Sequence, residues 1–141
     1  MTKEDKELLL KDLCARLPYG VIVRCVGIPK NPYYDHTETD RDFELLSVCP
    51  KKGMVIIDHY GNYNIPFTEC TPYLRPMSSM TEEEKKEVEE LDGSIVCYNE
   101  FEGGSTLFDE VGLDWLNAHH FDYRGLIEKG LALEAHRGMY N

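Results

Sequence analysis

Between Phe43 and Thr68 the chain is broken twice by turn signals, Pro50-Lys51-Lys52-Gly53 and Tyr60-Gly61-Asn62, and the pieces between them are short and rich in Val and Ile. Runs this short, bounded by Pro, Gly and Asn, have no room for a helix and read as strands. The spacing predicts strands over Phe43–Cys49, Met54–His59 and Tyr63–Thr68, the last interrupted at Pro66. Tyr19 to Val26 adds another, with Val21, Val23 and Cys25 on one face. Strands joined this closely make a meander that curls into a small barrel or a bent, mainly antiparallel sheet.

Helical signals flank this region. Thr2 and Asp5 stand as a capping box, and Leu9, Leu10, Leu13, Cys14 and Leu17 recur at three- and four-residue spacing before Pro18. A helix over about 3–17 follows. Thr81 with Glu84 repeats the capping signal for a helix over about 82–91, ended by Asp92-Gly93. Ser94 to Phe101 reads as a weak strand, broken at Gly103-Gly104. Leu107 to Phe121 is helical in period, with Phe108, Val111, Trp115, Leu116 and His119 on overlapping apolar faces. Trp115, the only tryptophan, is expected to anchor the core there. Asp122 caps a last short helix, Tyr123–Lys129, stopped by Gly130, and Leu131–Ala135 supplies a closing strand. Residues 28–42, with Pro29, Pro32 and four acids without periodicity, read as an exposed loop or a long hairpin tip. Pro72, Pro76 and Ser78-Ser79 break the strand pattern.

The expected fold class is therefore α+β. An N-terminal helix packs on a small curved sheet, and a C-terminal helical part completes the chain. All of 1–141 forms one domain, with helix plus sheet over 1–76 and a mainly helical part over 77–141 on the same core. A chain of 141 residues buries roughly two-thirds of its unfolded surface, enough for a core without a staple.

Charge narrows the partners. With 26 acidic and 15 basic residues the net charge is −11, a field that repels phosphate and attracts basic surfaces. Nucleic acid is not an expected ligand. No run approaches the ~20 apolar residues of a membrane helix, and the charged start, Met1 to Lys6, is not a signal peptide. The five cysteines, Cys14, Cys25, Cys49, Cys70 and Cys97, are odd in number and sit among apolar neighbours, so they read as reduced, buried thiols of a cytoplasmic protein.

Chemistry-bearing patterns are sparse. His119 and His120 are consecutive, about 100° apart on a helix, and do not share one ion easily. His59 and Cys70 flank a turn, and with Cys97 or His119 they would make a zinc set only if the fold brought them together. Asp35-His36-Thr37-Glu38-Thr39-Asp40 lacks the calcium-loop pattern and reads as solvated. Scattered carboxylates leave an unrecognised hydrolase as an alternative. No catalytic residue, metal or cofactor is assigned. The feature that stands out is aromatic. Tyr33, Tyr34, Tyr60 and Tyr63 all fall at predicted loops or turns, where tyrosine builds contact surfaces at low entropic cost. They are the candidate partner-binding residues, the competing reading being strand-end cover for a small sheet.

Three stretches carry a resemblance: Lys11 to Val21, Pro72 to Glu84 and Asp114 to Ile127. Together they resemble an uncharacterised family of small proteins from gut anaerobic bacteria and their prophages, with the region between about 28 and 60 variable. The resemblance implies a bacterial or phage cytoplasm and transfers no catalytic residue. The expected role is a non-enzymatic, acidic module that binds another protein. The alternative is a phage-type inhibitor that mimics the charge of nucleic acid.

Overall fold

The computed structural model describes residues 1–91 and 110–140. The expected strand Ser94–Phe101 with Cys97, the Gly103-Gly104 break, and Leu107 and Phe108 of the expected third helix lie outside these residues. The chain is α+β, with an N-terminal helix, a mixed sheet of seven strands and a C-terminal helix.

Helix α1 (Lys3–Arg16) starts on the expected capping box. Thr2 Oγ1 accepts from the Asp5 N–H and the Asp5 carboxylate from the Thr2 N–H, which satisfies two of the donors a helix start leaves open. Pro18 falls in a 3₁₀ turn, Leu17–Tyr19, that ends it. The buried face is Leu9, Asp12, Leu13 and Arg16, the i, i+3, i+4, i+7 set of one helix side. The period is as expected, but two of its four positions are charged. Cys14, expected on the stripe, is exposed.

The strands are β1 (Ile22–Asn31), β2 (Asp35–Cys49), β3 (Met54–Asp58), β4 (Asn62–Pro66), β5 (Cys70–Pro76), β6 (Phe121–Asp122) and β7 (Leu133–Glu134). Their order is β4-β3-β2-β1-β5-β6, with β7 also on β5, and the sheet does not close into a barrel. Pairing from β4 through β5 is antiparallel, whereas β6 and β7 join β5 in parallel. Two sequence readings are corrected here. Of the two readings of residues 28–42, the loop is wrong and the hairpin holds: they are the outer, paired part of the β1–β2 hairpin, turned at Asn31-Pro32-Tyr33-Tyr34. The Asn31 side chain accepts from the N–H groups of Tyr33 and Tyr34, and Pro32 supplies the fixed φ a turn needs after the Asn. The second correction is β5. Pro72 and Pro76 look like breakers, yet this strand is the one that holds β1, β6 and β7 together.

Two apolar clusters form. The larger joins Leu9 and Leu13 of α1 to Val23, Cys25, Phe43, Leu45, Ile57 and Leu74 of the sheet. The smaller unites Val88 of α2 (Glu82–Glu89) with Trp115 and Leu116 of α3 (Glu110–Ala118) and with Phe121. Trp115 is 8% exposed and lies parallel to Phe121, as a core anchor should. Val111, expected on the same face, is exposed. The expected helix Tyr123–Lys129 does not form. Asp122 does accept from the Leu126 and Ile127 N–H groups at 2.9 Å, but Gly125 at φ 77° is incompatible with a right-handed helix and leaves a run of turns.

The clusters are tied by a buried ionic network. Asp12 receives Arg16 Nε and Arg124 Nη1, each at 2.8 Å, with Asp12 and Arg16 both 0% exposed. Arg16 Nη2 donates to the Phe121 carbonyl at 2.6 Å. Removing one partner from such a set leaves a buried charge uncompensated and costs about 3–5 kcal/mol. Asp12→Ala is thus expected to lower the melting temperature by about 10 °C or more, while Lys85→Ala, which removes the surface pair with Glu82, shifts stability by less than about 1 kcal/mol. Thermal denaturation of the two variants checks both.

Candidate functional site

The four tyrosines separate. Tyr33 and Tyr34 stand at the hairpin tip, 69% and 88% exposed, with ring centroids 6.3 Å apart. Tyr60 is 58% exposed on the β3–β4 turn, and Tyr63 is half-buried against the larger core. Both face His59 edge-on, with Phe43 on another side of that ring. His59 Nε2 lies 2.7 Å from the Pro29 carbonyl. A carbonyl only accepts, so Nε2 carries the proton and the turn is latched to β1. The arm and Tyr60 therefore share one side of the fold, and Tyr63 belongs to the packing beneath.

The arm itself is a two-stranded extension. β5 pairs β1 only over Val23–Cys25, and β3 pairs β2 only from Leu45 onward. Between those limits β1 and β2 pair only with each other among the described residues. A bulge interrupts the ladder at Val26-Gly27, with Gly27 at φ 65° and its N–H on Asp40. Along β2, Glu38, Asp40, Asp42 and Glu44 alternate and are all exposed. Alternate residues share one face at about 6.8 Å spacing, so the strand carries a row of carboxylates. Asp42 is held by the Tyr73 hydroxyl at 2.8 Å and approached by Arg24 at 3.6 Å.

A cleft of about 730 Å³ lies elsewhere, between the end of β5, the start of α2, the α3–β6 junction and residues 134–140. Arg75 and Glu84 form one wall, paired through two 2.7 Å bonds. Arg75 also lies over the Phe121 ring. The Arg75 guanidinium holds the Glu84 carboxyl down at about 2. His119 and His120 line the floor, in the turn after α3 rather than on the expected helix, and their rings stack on different partners. His119 stacks on Trp115, and its Nδ1 donates to the Trp115 carbonyl at 2.8 Å, which leaves Nε2 an acceptor while the ring is neutral. His120 stacks on Tyr140 at 3.6 Å. It is 6% exposed, adopts φ 63°, and its Nδ1 is buried without a hydrogen-bond partner. Burial, then the charge of Arg16, with His119 and Arg75 adding to it, push His120 down to about 4. The ring is neutral at pH 7. A left-handed backbone and an orphaned buried nitrogen at one residue are the kind of local strain that concentrates at functional sites.

Tyr140 closes the back of the cleft. Its hydroxyl accepts from the Ile22 N–H at 3.0 Å and donates to the Tyr73 carbonyl at 2.7 Å. No sequence pattern marks His120 or Tyr140; only their meeting across the fold does. The metal set weighed from sequence does not assemble. Cys70 faces Cys25, His59 holds Pro29, His119 holds Trp115, and Cys97 lies outside the described residues. Among the described residues no three His, Cys, Asp or Glu side chains are placed to hold an ion. No helix among them is long and apolar enough to cross a membrane. Nor are all the thiols buried: Cys14 and Cys49 are exposed, Cys49 because it closes β2 at the Pro50 turn. Comparison of the chain with protein-family models, with curated proteins and with solved structures finds no match.

The two shifted groups set the acid response. The unfolded chain protonates His120 near its ordinary 6.5, the folded protein only near 4. Unfolding therefore takes up a proton between those values, and stability falls as pH drops through that window. Glu84 adds a second loss between its ordinary 4.5 and 2. Melting temperature is expected to decline from pH 6.5 downward, and the unfolding free energy from chemical denaturation to fall by at most ~1.4 kcal/mol per pH unit for one proton. His120→Asn, which tolerates positive φ and does not titrate, is expected to flatten the upper window and leave the lower one.

Proposed function

We propose that this chain is a protein-interaction module that docks the β1–β2 arm on a basic surface of a partner protein. One observation supports the reading above others: the exposed carboxylate row Glu38, Asp40, Asp42 and Glu44 runs toward two tyrosines, Tyr33 and Tyr34, that the fold leaves in solvent. Aromatic side chains at the tip supply contact area, and the row supplies charge complementarity and steering. The repeat along the row is of the same order as the distance between neighbouring phosphates of an extended nucleic-acid strand. A surface that ordinarily binds nucleic acid is therefore the basic surface it matches best. This is where the charge-mimic alternative meets the interaction-module reading.

The test is affinity capture from a bacterial lysate with the wild-type chain and two double variants, Tyr33→Ser/Tyr34→Ser and Glu38→Gln/Asp40→Asn. The expected result is a basic protein retained by wild type, lost at least tenfold from both variants, and released by raised salt or by duplex DNA added as competitor. Equal retention by all three chains, or retention indifferent to salt, overturns the proposal.

A second reading rests on His120. A neutral, strained imidazole at the wall of a polar cleft is suited to hold a small polar molecule, the first requirement of the enzyme alternative. Ligand-detected NMR with a set of polar fragments is expected to find binders that His120→Asn no longer holds. Fragments bound equally by both chains, or by neither, count against it.

A further inference from the structure

Cys25 and Cys70 face each other where β1 meets β5. The ladder fixes how closely. Val23 pairs with Pro72, and proline has no N–H, so this must be a non-hydrogen-bonded pair. Pair types alternate along an antiparallel ladder, so Cys25–Cys70, two residues on, is of the same type. Such pairs bring opposing Cα atoms to about 4.5 Å and the side chains closer than the other type does, inside the roughly 4.4–6.8 Å range a disulfide spans. The thiols agree, with Sγ atoms 3.4 Å apart and residues 0% and 1% exposed.

We propose that Cys25 and Cys70 form a reversible disulfide with hydrogen peroxide as the oxidant. One thiolate attacks the outer peroxide oxygen; the S–O bond forms, the O–O bond breaks, and the first water leaves. The second sulfur attacks the sulfenic sulfur; the S–S bond forms, the S–O bond breaks, and the second water leaves. The two thiol protons end in the waters, and two electrons pass from the sulfurs to the peroxide. No backbone movement is needed to close the bond. Cys14 and Cys49, though exposed, have no sulfur neighbour among the described residues.

The site has a structural meaning. Only Val23, Arg24 and Cys25 join β1 to β5, and the bulge that releases the arm follows at once. A bond here fixes the root of the arm to the strand that carries the C-terminal part. The contact with Cys25, and then burial, push the Cys70 thiol up, so the pair responds to peroxide slowly and only as the seam opens.

The experiment uses the reduced, folded, full chain. It is treated with graded hydrogen peroxide, denatured, alkylated, digested and mapped by mass spectrometry. The expected product is a Cys25–Cys70 linked peptide two hydrogens lighter than the separate thiols, reverting to two alkylated cysteines after dithiothreitol. The oxidised protein is expected to melt several degrees higher, because the bond closes a segment with a sequence separation of 45. Cys70→Ala should abolish that rise. The wild-type map decides even if this variant folds poorly. Cys25 and Cys70 still alkylatable after prolonged exposure to excess peroxide, long past the oxidation of the exposed Cys14 and Cys49, or a cross-link joining other cysteines, overturns the proposal.

Discussion

The Asp12 carboxylate sits out of water between two guanidiniums, one from its own helix and one from a segment more than a hundred residues away. A carboxylate and a guanidinium in such a place are tolerable only together, because each alone would carry the full penalty of a buried charge. The network therefore works as a geometric condition. Helix α1 can seat Leu9 and Leu13 on the sheet only in the rotation that also aims Asp12 and Arg16 at Arg124 and the Phe121 carbonyl. That carbonyl lies beside His120, whose own carbonyl accepts from the Arg75 N–H at 2.7 Å. The α1 side, the sheet and the floor of the cleft are thus held to one arrangement, and the charge of the same Arg16 adds to the burial that keeps His120 neutral.

How much of this was legible depends on whether the signal was local. The capping boxes at Thr2 and Thr81 formed as read because both partners lie within one turn. The strands around the Pro50 and Tyr60 turns were readable for the same reason. The arm was not, since Asp35 to Asp42 lacks the apolar alternation that marks a half-buried strand. It is a strand because β1 lies beside it and the Asn31-Pro32 turn returns the chain. β5 was hidden by its prolines, and only its neighbours make it a strand. On α1 the period pointed to the right face, but reading hydrophobicity alone missed that Asp12 and Arg16, spaced i to i+4, could be buried as a pair.

The candidate sites divide in the same way. The exposure of Tyr33 and Tyr34 was legible because turn residues are exposed by default. Tyr63 was misplaced by that rule, since it alternates on β4 and half of that strand faces inward. His120 carried no signal. Its character depends on Arg16, Arg75 and Tyr140, drawn from three separate parts of the chain, and on a backbone conformation that its sequence neighbours do not announce.

Tyr140 bridges β1 and β5 through Ile22 and Tyr73, and β5 gains its parallel partners only from residues 121–134. Contacts between the first strand and the last described residues span 118 positions, and such contacts form late because their loops are expensive to close. During synthesis, then, the meander can assemble while β5 waits with pairing groups open. The nascent chain passes through an interval in which a strand destined to be largely buried has an unguarded side, the circumstance in which sheet proteins are most exposed to mispairing with a neighbour.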